Sequence, residues 1–152
     1  MNLETYQSQL DTILKRHGVV LACLFGSLAR REAGPLSDVD VAVLLGSDIA
    51  PESWAEVQIN LINDLMSLFQ RDDVDVVVLN KATPLLAHRV VYDGTVIFEP
   101  NPLTRVRFEV KTLHRYVDTV PLRKLRREYL GRRVSQRQSR RAAQALERKH
   151  DR

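Results

Sequence analysis

The segment Asp38-Val39-Asp40-Val41-Ala42-Val43-Leu44-Leu45 constrains this chain more than any other. Its apolar, β-branched run reads as a strand. Side chains alternate faces along a strand, so Asp38 and Asp40 point the same way, about 6.5 Å apart along its axis. Val39, Val41 and Val43 take the opposite face, which is free to pack on a core. Two like charges so placed repel unless something cationic lies between them. Hard divalent ions such as Mg²⁺ are held by one or two carboxylates together with substrate phosphates.

Upstream, Val19–Phe25 is a continuous apolar run that reads as a buried strand and stops abruptly at Gly26-Ser27. Glycine lets a backbone come close to a ligand, and N–H groups at a helix start form an anion site. Ser27 adds a hydroxyl donor, and Arg30 stands one turn later, within reach of a terminal phosphate. Downstream, the run Val74–Leu79 carries Asp75 among apolar neighbours. A carboxylate there is costly to bury unpaired, so it must be exposed, paired or metal-bound. Three carboxylates from two strands suit two ions about 3.5–4 Å apart, the spacing of in-line phosphoryl displacement. Asp75 is then also a candidate acceptor for the attacking hydroxyl's proton. Asp73 falls on the same face if the strand begins early, but Asp75 is preferred because it precedes the apolar run.

Helices are expected between these strands. Leu3, Tyr6, Leu10, Ile13 and Leu14 have helical spacing, with Gly18 as a stop, and Leu28–Leu36 reads as a short helical turn and a loop. Pro51 precedes a helical face of Trp54, Val57, Leu61, Ile62, Leu65, Leu68 and Phe69. Pro84 opens a short helix to about Tyr92, and Thr95–Phe98 is a fourth strand. The fold class expected is α+β with an α/β-like mixed sheet, in a core of residues 1–100.

Charge divides the chain at the same place. Residues 1–100 hold 7 Lys/Arg against 14 Asp/Glu, whereas residues 101–152 hold 16 against 5, within a net charge of +4. An acidic body thus carries a basic tail, which suggests an acidic protein surface, nucleic acid or the body itself as its partner. In that tail Leu103, Val106, Val110, Leu113, Val117 and Val120 recur three and four apart, most simply a helix packed on its own sheet. Pro121 interrupts the stripe, Leu122, Leu125 and Tyr129 continue it weakly, and a frayed end is expected from about Arg132. Aromatic residues are scarce among the tail's charges, with Tyr116 and Tyr129 the only tyrosines and Phe108 the only phenylalanine, so nucleic acid is the less favoured partner. One cysteine, Cys23, excludes an internal disulfide and fits a reducing cytoplasm. Neither a membrane span nor a secretory signal is expected.

A Gly-Ser alone is usually a turn, and a D-x-D alone is usually a solvated strand edge. Their conjunction is different: a strand, Gly26-Ser27, ten residues, Asp38-x-Asp40 on a strand, then an Asp75 strand. This pattern resembles the DNA polymerase beta-type nucleotidyltransferase superfamily, and within it the minimal nucleotidyltransferase (MNT) branch with its G-S-x₁₀-D-x-D signature. The likeness spans about residues 1–118. It implies transfer of a nucleoside monophosphate from a triphosphate to a hydroxyl. Asp38, Asp40 and Asp75 are then the catalytic carboxylates and the ligands of two Mg²⁺ ions, while Gly26, Ser27 and Arg30 hold ATP. Small MNT proteins of this kind are similar to antitoxins that adenylylate a tyrosine of a HEPN ribonuclease toxin. A hetero-oligomer with such a toxin is therefore expected, residues 101–152 serving as helix and partner-binding tail. Neutralisation by contact alone, or transfer to RNA or a small molecule, are the alternatives. Typical members place glycine after the arginine of G-S-x-A-R; here Arg31 stands there. Arg107, His114 and Tyr116 also repeat the R-x₆-H-x-Y spacing of HEPN ribonucleases, but the tail is too short for that helical bundle and a helix surface is expected.

Overall fold

A computed structural model describes residues 3–26 and 38–130 of the 152. A 3-10 turn, Leu3–Tyr6, leads into helix α1, Gln7–Arg16. Gly18, at φ +69°, turns the chain from α1 into strand β1, Val19–Phe25. Strand β2 is Val39–Leu45, and a 3-10 turn at Pro51–Ser53 opens helix α2, Trp54–Phe69. Strand β3 is Val74–Val78, helix α3 is Pro84–Asp93, strand β4 is Thr95–Phe98 and helix α4 is Pro102–Asp118. Thr83 caps α3 by accepting the Leu86 amide, with Pro84 in the first turn where its missing N–H is harmless.

The four strands form one mixed sheet in the order β3-β2-β1-β4, with β2 and β3 parallel and the other pairs antiparallel. This is the α+β architecture expected, with the strand that bears Asp75 running beside the one that bears Asp40 and Asp38 one residue before the latter. The alternation along β2 divides the layers. Val39, Val41 and Val43 are fully buried with Val74, Val76 and Val78 against Leu10 and Leu14 of α1 and Leu61 and Leu65 of α2. Truncating one of these leucines to alanine costs about 2–5 kcal/mol. The other face buries Leu21, Cys23 and Ala42 against Leu79, Ala82, Ala87 and Val90, with Phe108 of α4 packed alongside. Asn80 ties off β2 by donating to the Leu45 carbonyl at 3.0 Å and accepting its amide at 2.8 Å.

One expectation for the tail needs correction. The stripe on α4 does not pack on the sheet: Leu103 is 62% and Leu113 51% exposed, and Val106, Val110 and Val117 are exposed too. A helix can turn only one face inward, and α4 turns in Phe108 and the buried Thr112, four residues apart. The interruption expected at Pro121 is present: α4 ends at Asp118, Thr119 is a turn, and helix resumes after it. Residues 120–130 are helical, and Pro121 sits in the first turn of that stretch, where proline is tolerated. By its contacts the chain falls into two units, Met1–His114 and Arg115–Arg152. Within the second, the Arg123 guanidinium lies 3.9 Å from the Tyr116 ring centroid. The loop expected over Leu28–Leu36 and the frayed end expected from Arg132 lie outside the described residues.

Candidate active site

The carboxylates meet because of register. Asp40 lies directly opposite Asp75 on the parallel pair β2/β3, and opposite Phe25 on the antiparallel pair β2/β1. Neighbouring strands are about 4.8 Å apart, and cross-strand partners share a face. Asp40 and Asp75 are therefore adjacent, on the face opposite the Val39/Val41/Val43 core. Asp38, one residue before β2, is exposed, Asp40 is half-buried and Asp75 is exposed. Asp75 Oδ1 accepts the Val76 amide at 2.8 Å, which fixes that side chain beside its own backbone.

The charge is felt at Asp40. Burial, with the neighbouring Asp75 and Asp38 carboxylates adding to it, pushes the Asp40 carboxyl above its ordinary value. Among the described residues no cation forms an ion pair with Asp38, Asp40 or Asp75. Hard oxygen donors of this kind fit a hard divalent cation. Among the described residues no three His, Cys, Asp or Glu side chains stand close enough to hold an ion as they are. The three aspartates thus share a face without forming a closed cage.

Gly26 closes this corner. It has φ +76°, and a Cβ placed on it would run into Asp40 Oδ2 and stand 3.2 Å from Asp40 Cγ. The backbone at the end of β1 therefore passes directly under the Asp40 carboxylate, an approach open only to glycine. Ser27 and Arg30 lie outside the described residues. Asp73 is treated differently from Asp75: Arg71 Nε donates to Asp73 Oδ1 at 2.6 Å and Arg71 Nη2 to Asp73 Oδ2. That pair holds the Asp73 carboxyl below its ordinary value. Sequence reasoning passed over Arg71, although its spacing of two from Asp73 was a visible signal.

Other candidates are inert or distant. Cys23 is buried, and burial pushes its thiol up to about 11, the setting of a core residue. His17 Nε2 lies 2.6 Å from Asp64 Oδ2 at the end of α1, and Asp64 also accepts Arg16 Nη2 at 2.7 Å. His88 stacks on Tyr92. Arg107 and His114 are exposed on α4, as a helix surface. Among the described residues, no helix is long and apolar enough to cross a membrane.

Comparison with known proteins places this geometry. Residues 8–103 match the family described as polymerase beta, nucleotidyltransferase. A protein of Methanocaldococcus jannaschii provisionally named a protein adenylyltransferase is 33% identical over 94 residues, 62% of this chain and 96% of that protein. A crystal structure described as a toxin-antitoxin with AMP-PNP superposes with a TM-score of 0.69 at 25% identity, covering 82% of this chain and 97% of that one. A tri-AMPylated HEPN toxin of Shewanella oneidensis in complex with its MNT antitoxin gives 0.67 at 23% identity, covering 85% and 98%. The last likeness is one of fold. With a family match across most of the sheet and the carboxylate strands inside it, the chain belongs to the polymerase beta-type nucleotidyltransferase family and is a nucleotidyltransferase.

Proposed function

We propose that this protein transfers AMP from ATP to a hydroxyl, that of a tyrosine, on a HEPN-type toxin and serves as its antitoxin in the cytoplasm. The observation that carries the reading is the facing of Asp40 and Asp75 in register beside Asp38, with Gly26 beneath. Asp38, Asp40 and Asp75 would hold Mg²⁺, two ions by the number of carboxylates. When bound, the metal supplies charge to the phosphates and lowers the basicity of the attacking oxygen. Gly26, with Ser27 and Arg30, cradles the triphosphate, the glycine because only it lets the backbone come so close. The acceptor oxygen attacks the α-phosphorus in line, and the bond from that phosphorus to the pyrophosphate oxygen breaks. Asp75, exposed at the open side of the sheet, takes the hydroxyl proton, and pyrophosphate leaves.

The acceptor's nature is supported by α4. Its exposed residues Leu103, Val106, Val110, Leu113 and Val117 follow the three-four alternation of a helix-packing seam, with Arg107 and Lys111 beside them. A protein partner that lays an apolar helix with acidic flanks on this seam would form a hetero-oligomer and bring its own hydroxyl to the carboxylates. Residues 1–100 then act as the catalytic core and residues 101–152 as the partner-binding part. The same seam favours a second reading, in which contact alone neutralises the toxin. Nucleic acid on the basic tail is a weaker rival, given the scarcity of aromatic residues there.

The test is labelling with ATP carrying label in the α-phosphate, MgCl₂ and the cognate toxin. A labelled toxin band, absent with γ-labelled ATP and lost in Asp38→Ala/Asp40→Ala, is the expected result. An unlabelled toxin that is still held in a complex and still inhibited would refute transfer and leave the contact antitoxin.

A further inference from the structure

Asp75 stands on the last strand of the sheet, so only one side of its backbone is held by a neighbouring strand. The Asp73 carbonyl accepts the Val39 amide at 2.8 Å and therefore points toward β2. Backbone groups of successive strand residues turn to alternate sides, which sends the N–H and C=O of Val76 outward, where no strand follows. An edge of this kind ordinarily leaves such groups unpaired. Here side chains meet both of them. The Val76 amide donates to Asp75 Oδ1 at 2.8 Å, and the Val76 carbonyl accepts Gln58 Nε2 of α2 at 2.7 Å. Gln58 Oε1 in turn accepts Lys81 Nζ at 2.9 Å. An ammonium group only donates, so Lys81 decides which end of the Gln58 amide faces it and aims the NH₂ end at the Val76 carbonyl.

We propose that Gln58 is a positioning residue for Asp75: by tying the Val76 carbonyl to α2 it fixes the free edge of β3, so that the Val76 amide keeps Asp75 Oδ1 in place and leaves Oδ2 for a divalent cation. This rests on the reading of Asp38, Asp40 and Asp75 as metal ligands. The need for such a tie differs between the two strands. Asp40 lies on β2, which β1 and β3 hold from both sides, whereas Asp75 lies on β3, which β2 holds from one side only. Gln58 supplies from a helix the restraint that a further strand would give. Groups that orient a metal ligand from behind contribute heavily to metal affinity.

Two measurements on the full chain test it, both with Gln58→Met, which keeps the length of the side chain and loses the donor. Hydrogen exchange of the Val76 amide, followed by NMR in the free protein, should quicken about tenfold while the Val41 amide of β2 exchanges as in the wild type. Mn²⁺ titration in the presence of AMP-PNP, with free Mn²⁺ read by electron paramagnetic resonance, should show binding weakened about tenfold. In an Asp75→Asn background the same substitution should change Mn²⁺ binding by less than about twofold, because there is no longer a ligand to position. A loss that adds in full to that of Asp75→Asn would overturn the proposal, since Gln58 would then support the fold and not Asp75. Unchanged Val76 exchange, or wild-type Mn²⁺ binding by Gln58→Met, would overturn it too. If Asp75→Asn itself binds Mn²⁺ as well as the wild type, the reading of Asp75 as a ligand falls and takes this inference with it. Thermal melts check folding, and Gln58→Glu, which still pairs with Lys81 but cannot donate to the carbonyl, substitutes for a methionine variant that does not fold.

Discussion

Replacing Gly26 with alanine tests the geometry of the site at its narrowest point. Two separate effects are expected. The first is backbone strain, because φ +76° places an L-residue in the left-handed region at a penalty of about 1–2 kcal/mol. For a domain of this size that corresponds to a fall in Tm of about 3–10 °C. The second is steric. The new Cβ would overlap Asp40 Oδ2, and the carboxylate must withdraw by about 1 Å to restore ordinary C···O separation. A catalytic group displaced by about 1 Å loses about 100-fold in rate. Gly26→Ala should therefore fold, melt slightly early and lose AMP transfer out of proportion to its stability. A double-mutant cycle separates the two effects. With Asp40→Ala in the background there is no carboxylate to displace, so the stability loss on adding Gly26→Ala should shrink to the strain alone. Differential scanning calorimetry and the labelling assay read both halves. Wild-type transfer by Gly26→Ala, or an undiminished stability loss in the Asp40→Ala background, would refute the close approach of Gly26 and Asp40.

Three further outcomes are expected. Because burial and its acidic neighbours raise the Asp40 carboxyl, the folded state holds that proton more tightly than the unfolded chain does, so Asp40 detracts from stability above its folded pKa and ceases to as the pH falls through it. Asp40→Asn should accordingly melt above the wild type at pH 7, with the gap closing toward pH 4, while transfer falls at least about 100-fold; a lower Tm at pH 7 would contradict the assignment. Leu113→Asp, on the exposed seam, should change stability by less than about 0.5 kcal/mol yet weaken partner binding by tenfold or more in calorimetric titration; unchanged affinity would remove α4 from the interface. Cys23, buried with its thiol pushed up to about 11, is only about one part in a thousand thiolate at pH 8, so a thiol reagent should label it rapidly only after denaturation.

Much of this was legible in the chain because it depends on local periodicity. The alternation in Val39–Leu45 separates the two aspartates from the core valines, and the helical spacing of Leu61, Leu65 and Phe69 marks the buried side of α2. The choice of Asp75 over Asp73 rested on the onset of an apolar run. In the structure Asp73 is paired with Arg71, a contact across two residues. The α4 stripe misled because its spacing is that of a buried face. An apolar stripe marks one side of a helix without saying whether that side is turned to the chain's own sheet.

Sequence alone determined which residues share a face, since that follows from backbone periods of two and 3.6 residues and needs no partner. Tertiary structure decided which faces meet. The β2/β3 register sets Asp75 opposite Asp40, the path of β1 lays Gly26 under that carboxylate, and Phe108 and Thr112, rather than the leucines and valines, turn α4 toward the sheet. Each of these is a choice among packings with similar local preferences, and it is made by the burial and pairing available only once the distant segments have come together.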